Sequence, residues 1–284
     1  MNWIDEGALY SQIGLFLRED LGRGDITTQS IVVRNTRARA RFVAGEKMIV
    51  AGLEAAEEVF LTLDSQQQLE AFAADGEQVE AGKVIARMVG FADVLISAER
   101  VALNLLQRLS GIATLTNQYV TAVEGTGAQI VDSRATTPGL RLLERYAVEL
   151  GGGFNGRFGL DDGVVVTSNH VSIVGSVGAA VKSAKEKLGY LHKVGVHVAT
   201  EVEVKEAIAT GADVIMLENM SVEDVKRFSE IARESSPSVV IECAGKITPE
   251  NVREYAEAGA QLIRIEALTN AAPATSISFR VQPF

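Results

Sequence analysis

Arg134 and Arg157 stand in a stretch where glycines and small polar residues crowd together. It opens with Asp132-Ser133-Arg134-Ala135-Thr136-Thr137-Pro138-Gly139, continues through Gly151-Gly152-Gly153-Phe154-Asn155-Gly156-Arg157, and closes on Thr167-Ser168-Asn169-His170. A guanidinium is a planar fork of N–H donors that fits a carboxylate or phosphate bidentately, and two from neighbouring loops can clamp a diacid. The plainer alternative is a pair of surface ion pairs, with Glu144 or Asp161 as partners. The triple glycine allows the backbone to approach a ligand or another strand closely, or simply makes a tight crossover.

The other chemistry-bearing residues are sparse. His170, His192 and His197 lack the spacing of a metal site. His197 alternates with Val196 and Val198, so it faces one side of a strand, where a buried, hydrogen-bonded imidazole is the ordinary outcome. Glu218 ends the apolar run Val214–Leu217, placed for a metal or a sugar hydroxyl, or for an ion pair. Arg100 reads as a helix-surface residue. Cys243 is the sole cysteine, a small core residue; it leaves no intrachain disulfide and no multi-cysteine metal cage.

Composition narrows the partners. The formal net charge of −10 argues against a broad basic surface for nucleic acid. Anion binding would then need a few cations converging in a pocket. No apolar run approaches a membrane span, and Met-Asn-Trp-Ile-Asp-Glu lacks the basic start and apolar core of a signal peptide, so a cytoplasmic protein is expected.

The elements that must position these residues fall into two textures. Leu9, Ile13, Phe16 and Leu17 have helical spacing, and Ala38, Ala40, Phe42 and Ala44 alternate as in a strand. Residues 52–63 are helical, and short β-like runs fill 71–94. A long helix is expected over Ala98–Val123, with Gly111 marking a passage between domains. Beyond it, β-branched runs recur at Gln129–Asp132, Val164–Thr167, Val194–Val198, Val214–Leu217, Val239–Glu242 and Leu262–Ile265. The intervening helices fall at 139–149, 175–188, 201–210, 221–234 and 249–258, the last with Thr248 as N-cap and Pro249 at its first position. Such alternation predicts parallel strands with helices outside, and six strands suggest an incomplete barrel. Ligands of parallel barrels sit at the carboxyl ends of the strands. Ser133-Arg134, Thr167 to His170, His197, Glu218-Asn219, Ala244-Gly245-Lys246 and Glu266 all fall there.

At these residues the chain resembles the quinolinate phosphoribosyltransferases, the nicotinate-nucleotide pyrophosphorylases, nearly end to end. The motifs are Glu19-Asp20-Leu21-Gly22-Arg23-Gly24-Asp25-Ile26-Thr27-Thr28, Ala98-Glu99-Arg100-Val101-Ala102-Leu103-Asn104, Leu109-Ser110-Gly111-Ile112-Ala113-Thr114, and Thr136-Thr137-Pro138-Gly139-Leu140-Arg141 with the triple glycine. The resemblance implies an α/β fold: an N-terminal α/β sandwich domain (residues 1–112, joined by the returning tail 273–284) and an open parallel α/β barrel of about seven strands (113–272). It implies a homodimer, or a higher oligomer, with shared active sites. It also implies a pentosyltransferase that joins quinolinate to phosphoribosyl pyrophosphate with Mg²⁺, giving nicotinate mononucleotide for NAD biosynthesis. Arg134 and Arg157 match arginines that hold quinolinate carboxylates, and Arg100 matches one supplied by the partner subunit.

The departures cluster on the same site. Ala135 and Thr167 replace family lysines, and Gly156 replaces a histidine before the second arginine; Asn169-His170 keeps the end of its motif. His197 stands where a glutamate serves the ribose and metal region. Glu218 precedes Asn219 where an aspartate is usual. Ala244 replaces the serine before Gly245 and Lys246 in the phosphate loop, and Glu266 and Asn270 alter the last strand's motif. Two lost lysines, at roughly 1.5–3 kcal/mol per charge-assisted contact, would weaken a polyanionic co-substrate on the order of 100-fold or more. Lys246 is expected to neutralise Glu266. Two readings follow. One is an enzyme of this family in which Glu218 with Mg²⁺ stabilises the ribosyl cation and His197 assists. The other is a diverged paralogue that keeps the carboxylate-binding arginines but uses another co-substrate or is catalytically silent.

Overall fold

The computed structural model describes residues 6–284. Met1–Asp5, most of the run read for a signal peptide, lies outside the described residues. Among the described residues no helix is long and apolar enough to cross a membrane. The chain forms two compact units. One comprises the described residues through Asn117, Thr136–Gly152 and Thr269–Phe284; the other comprises Gln118–Ala135 and Gly153–Leu268.

In the first unit, α1 (Glu6–Leu21) buries Leu9, Ile13 and Leu17, the stripe that a 3.6-residue period puts on one face. A short α2 (Ile26–Ile31) starts where the Asp25 side chain accepts from Thr28 N at 2.9 Å. Strand β1 (Arg37–Ala44) alternates as its sequence does, with Ala38, Ala40, Phe42 and Ala44 inside. Then follow β2 (Met48–Ile49), α3 (Leu53–Leu63), β3 (Gln68–Ala71), β4 (Gln78–Val79) and β5 (Val84–Phe91). The main sheet is antiparallel: the terminal strand Ile277–Pro283 pairs with β1, β1 with β5, and β5 with β3. The rings of Phe42, Phe60 and Phe279 pack together in its core, and each buried aromatic contributes roughly 1.5–3 kcal/mol. The α3 N-terminus has no cap of its own at Gly52; Asp75 supplies one, accepting from Gly52 N at 3.0 Å and Leu53 N at 3.1 Å.

Helix α4 spans Ala92–Ala122, starting earlier than the sequence suggested. Gly111 lies inside it and does not mark a break. A side chain there would collide with the Pro273 carbonyl, so the glycine admits the returning tail. Gly151 at the end of α5 (Arg141–Leu150) likewise admits the Ala113 carbonyl of α4. The triple glycine thus begins as a helix-packing feature.

The second unit is a six-stranded parallel sheet: β6 (Gln129–Val131), β7 (Val164–Val166), β8 (Val194–Val198), β9 (Val214–Glu218), β10 (Val240–Ala244) and β11 (Leu262–Arg264). Their order is β6-β11-β10-β9-β8-β7, and an isolated parallel bridge joins Val131 to Phe154 beside the open edge. Helices α6 (Ser168–Val174), α7 (Val177–Lys187), α8 (Glu201–Ala209), α9 (Val222–Ser235) and α10 (Val252–Glu257) alternate with the strands. Two of these differ from expectation. Thr167 to His170 is the start of α6, held by a capping box in which Thr167 N donates to His170 Nδ1 at 3.1 Å. Helix α10 begins at Val252, because the Asn251 side chain accepts from Thr248 N at 2.8 Å and turns residues 248–251 before the helix starts.

Candidate active site

All six strands of the second unit line one cavity of about 590 Å³. The two-residue period of a strand decides which side chains enter it. On β8 these are Gly195 and His197, on β9 Val214 and Met216, on β10 Glu242 and on β11 Arg264. Val194, Val196, Ile215, Leu217, Ile241 and Ile263 are buried, and among these strand residues they are not cavity-lining. The cavity also takes Ser133, Arg134 and Ala135 after β6, Gly156, Arg157 and Gly163 from the loop before β7, and Thr167 at the end of β7.

The two arginines singled out from sequence therefore share a cavity. Asp132 is 1% exposed and accepts from Gly156 N at 2.6 Å, which ties the Arg134 loop to the Arg157 loop. Arg157 Nη1 donates to the Gly163 carbonyl at 2.8 Å. Burial holds its pKa down, reinforced by the positive charges of Arg134 and Arg264 nearby. Glu144, the suggested ion-pair partner, is fully buried in the first unit and accepts from Arg108 and Thr137.

A second feature was not singled out from sequence. Arg264 Nε donates to Glu242 Oε1 at 2.8 Å; Nη1 lies 3.4 Å from Glu266 Oε1 and Nη2 3.6 Å from Glu218 Oε1. Glu218 Oε2 in turn lies 2.9 Å from His197 Nδ1. Burial raises the Glu242 pKa, against the opposing charge of Arg264. Burial also lowers that of His197, partly offset by Glu218. The sequence signal for this network was available. Leu262, Arg264 and Glu266 share one strand parity, as do Val240 and Glu242, and a charge in an apolar β run at interior parity needs a partner. The expected Lys246–Glu266 pair is replaced by Arg264–Glu266, and Lys246 is exposed.

Of the expected residues, Arg134, Arg157, Thr167, His197 and Glu266 line the cavity. Glu218 has the parity of Met216 one step further along β9; Asn219 follows it in a left-handed conformation with φ 56°, against Gly245. His170 spends its Nδ1 on the α6 cap. Arg100, exposed on α4, and Asn270, which ends the short helix Ala267–Asn270, belong to the first unit. Cys243 is buried as expected, its thiol pushed up to about 12 by burial and the adjacent Glu242. Among the described residues no three His, Cys, Asp or Glu side chains gather as a cation site. With Glu218 engaged by His197 and facing Arg264, this donor set does not fit a magnesium ion held by the protein alone.

A parallel α/β unit whose six strands line one cavity, with Arg134, Arg157 and Arg264 in its wall, places the chain in the class of open α/β barrels. The family is fixed by comparison. Residues 25–110 match the quinolinate phosphoribosyl transferase N-terminal domain and residues 112–280 its C-terminal domain, so the chain belongs to the quinolinate phosphoribosyl transferase family. It is 40% identical over 266 residues to a probable nicotinate-nucleotide pyrophosphorylase (carboxylating) of Synechocystis, covering 94% of this chain and 90% of that protein. The corresponding protein of Bacillus subtilis is also 40% identical, with 94% and 91% covered. The crystal structure of NadC from Streptococcus pyogenes matches with a TM-score of 0.93 at 32% identity, covering 99% of both chains. The nicotinate-nucleotide pyrophosphorylase from Francisella tularensis matches with a TM-score of 0.93 at 34% identity, covering 99% of this chain and 98% of that one.

Proposed function

We propose that this chain transfers a phosphoribosyl group from phosphoribosyl pyrophosphate to a pyridine carboxylate. With quinolinate as acceptor the products are nicotinate mononucleotide, carbon dioxide and pyrophosphate, a step of NAD biosynthesis. The observation that carries this reading is that Arg134 and Arg157 line one cavity shared by all six strands of the parallel sheet, in a chain of this family. The relatives' names favour an enzyme over a silent carboxylate-binding protein.

In this proposal Arg134 and Arg157 fix the acceptor acid so that its ring nitrogen faces the ribose carbon losing pyrophosphate. Positioning of this kind is a large part of any such barrier. Positive charge develops on the ribose as pyrophosphate departs, and Glu218 is the carboxylate placed to offset it. His197 gives Nδ1 to Glu218, which leaves Nε2 as the ring nitrogen for a ligand. Magnesium that entered with pyrophosphate would supply charge neutralisation to that group, and Glu218 is the residue that would help to hold it. The functional unit is taken to be a cytoplasmic homodimer, with Arg100 contributed across the interface.

The test is direct: incubate the protein with quinolinate, phosphoribosyl pyrophosphate and Mg²⁺ and follow nicotinate mononucleotide. Formation of that product is expected. Quinolinate binding with no turnover and no affinity for the co-substrate would overturn the enzymatic reading.

A further inference from the structure

Arg264 is fixed at its root and loosely held at its fork. Its Nε bond of 2.8 Å goes to Glu242, whose side chain is only 10% exposed. The terminal nitrogens are less well served. The 3.4 Å approach to Glu266 is at the far limit of hydrogen bonding, and the 3.6 Å approach to Glu218 is beyond it. Both of those carboxylates are substantially exposed, 54% and 40%, against 17% for Arg264, so water competes for them. A buried acid therefore orients the guanidinium, and its two outer nitrogens face partners that an entering anion can replace.

The fork opens on the same cavity as Arg134 and Arg157. All three line that cavity, and Arg157 feels the charge of Arg134 and that of Arg264. Like charges that share a cavity repel, and an anion with more than one acidic group relieves that repulsion better than a single carboxylate does.

We propose that Arg264 is a further guanidinium of the acceptor-acid site, beside Arg134 and Arg157, and sets its preference for a dicarboxylate. Its Nη1 and Nη2 exchange Glu266 and Glu218 for the second carboxylate of the pyridine acid, while Glu242 keeps the Nε end in place. This rests on the acceptor-acid reading above.

The experiment is calorimetric titration of the full chain with quinolinate, nicotinate and inorganic pyrophosphate, without co-substrate, so that turnover plays no part. Arg264→Lys keeps a cation beside Glu242 but lacks the fork, and its thermal midpoint reports whether it folds. Quinolinate is expected to bind about tenfold more weakly to this variant, with nicotinate changing less than about twofold. Glu266→Gln, which removes a competing carboxylate, is expected to tighten quinolinate binding about threefold or more in the wild-type background, with that gain lost in the Arg264→Lys background. Equal losses for both acids, or an equal gain from Glu266→Gln in both backgrounds, would overturn the proposal. So would weakened pyrophosphate binding with quinolinate unchanged, which would assign Arg264 to the co-substrate. If wild type binds quinolinate and Arg264→Lys does so equally well, this inference fails while the acceptor-acid reading stands. If wild type binds neither acid, both fail.

Discussion

Glu218 Oε2 lies 2.9 Å from Nδ1 of His197, a pairing between the last residue of β9 and an interior residue of β8. Opposing effects act on this imidazole. Burial disfavours its charged form and dominates, the Glu218 carboxylate supports that form, and the positive charges of Arg264 and Arg157 add to the burial effect. The folded pKa is thus below the unfolded value, and the unfolded chain binds the extra proton as pH falls below about 6.5. The His197 contribution to stability is therefore intact above that value and lost as pH falls from it towards the folded pKa. In Glu218→Gln the supporting charge is gone, so the imidazole titrates lower still; NMR titration of the His197 ring reads this directly. An unchanged or raised His197 pKa would mean the contact is not formed in solution.

Arg108 and Glu144 are coupled more tightly. Glu144 is fully buried and accepts from Arg108 Nε at 3.0 Å and Nη2 at 2.9 Å, from Thr137 N at 3.0 Å and from Thr137 Oγ1 at 2.8 Å. Removing the cation strands a buried carboxylate, whereas removing both charges does not. Arg108→Ala is expected to cost about 3–5 kcal/mol in urea denaturation, and Arg108→Met combined with Glu144→Gln markedly less. Equal losses from the single and double variants would show that the ion pair is not what the site depends on.

Gly111→Ala tests a different kind of constraint. The added Cβ would collide with the Pro273 carbonyl, a backbone atom that cannot rotate away. Alanine normally favours a helix interior over glycine by roughly 1 kcal/mol, so propensity alone predicts stabilisation. The collision reverses the sign, and a loss of about 1–3 kcal/mol is expected. A stabilised variant would show that the tail moves aside at little cost.

How far the sequence reaches differs between fold and site. The strands of the second unit were legible because β-branched runs bounded by turns have few alternatives; Val194–Val198 appears with the bounds its pattern predicted. Arg134 and Arg157 were legible as a pair because glycine-rich loops after strands converge on one end of a barrel. Arg264 with Glu242 was not read, since the pair depends on β10 lying beside β11, where Ala244 faces Arg264 in register. Neighbouring strands in a parallel sheet are fixed by long-range topology, which residue spacing does not encode. The Arg264–Glu266 contact, by contrast, was within reach of residue spacing, because residues two apart along a strand share a face, whereas Lys246 is exposed after β10. Helix α6 was missed because Val164–Thr167 reads as one strand until the capping box of Thr167 and His170 turns the chain.

Ala135 and Thr167 both line the cavity, at positions where a lysine could add charge for a pyrophosphate. The cavity as it stands carries Arg134, Arg157, Lys193 and Arg264 against Asp132, Glu242 and Glu266, so little net positive charge remains for a polyanion. Ala135→Lys is the cleaner substitution, because residue 135 is half-buried and its backbone N–H, bonded to Ser133 Oγ at 3.1 Å, is unaffected. Thr167→Lys also removes the hydroxyl that helps cap α6, which costs about 1 kcal/mol of stability. Each new ammonium group is worth roughly 1.5–3 kcal/mol if it reaches an anionic oxygen. The double variant should therefore bind phosphoribosyl pyrophosphate at least about 100-fold more tightly, with quinolinate affinity changed far less. Calorimetry with each substrate separately, at two salt concentrations, checks this, since an electrostatic gain shrinks as ionic strength rises. A gain confined to quinolinate would place the two positions beside the acceptor acid instead of the co-substrate.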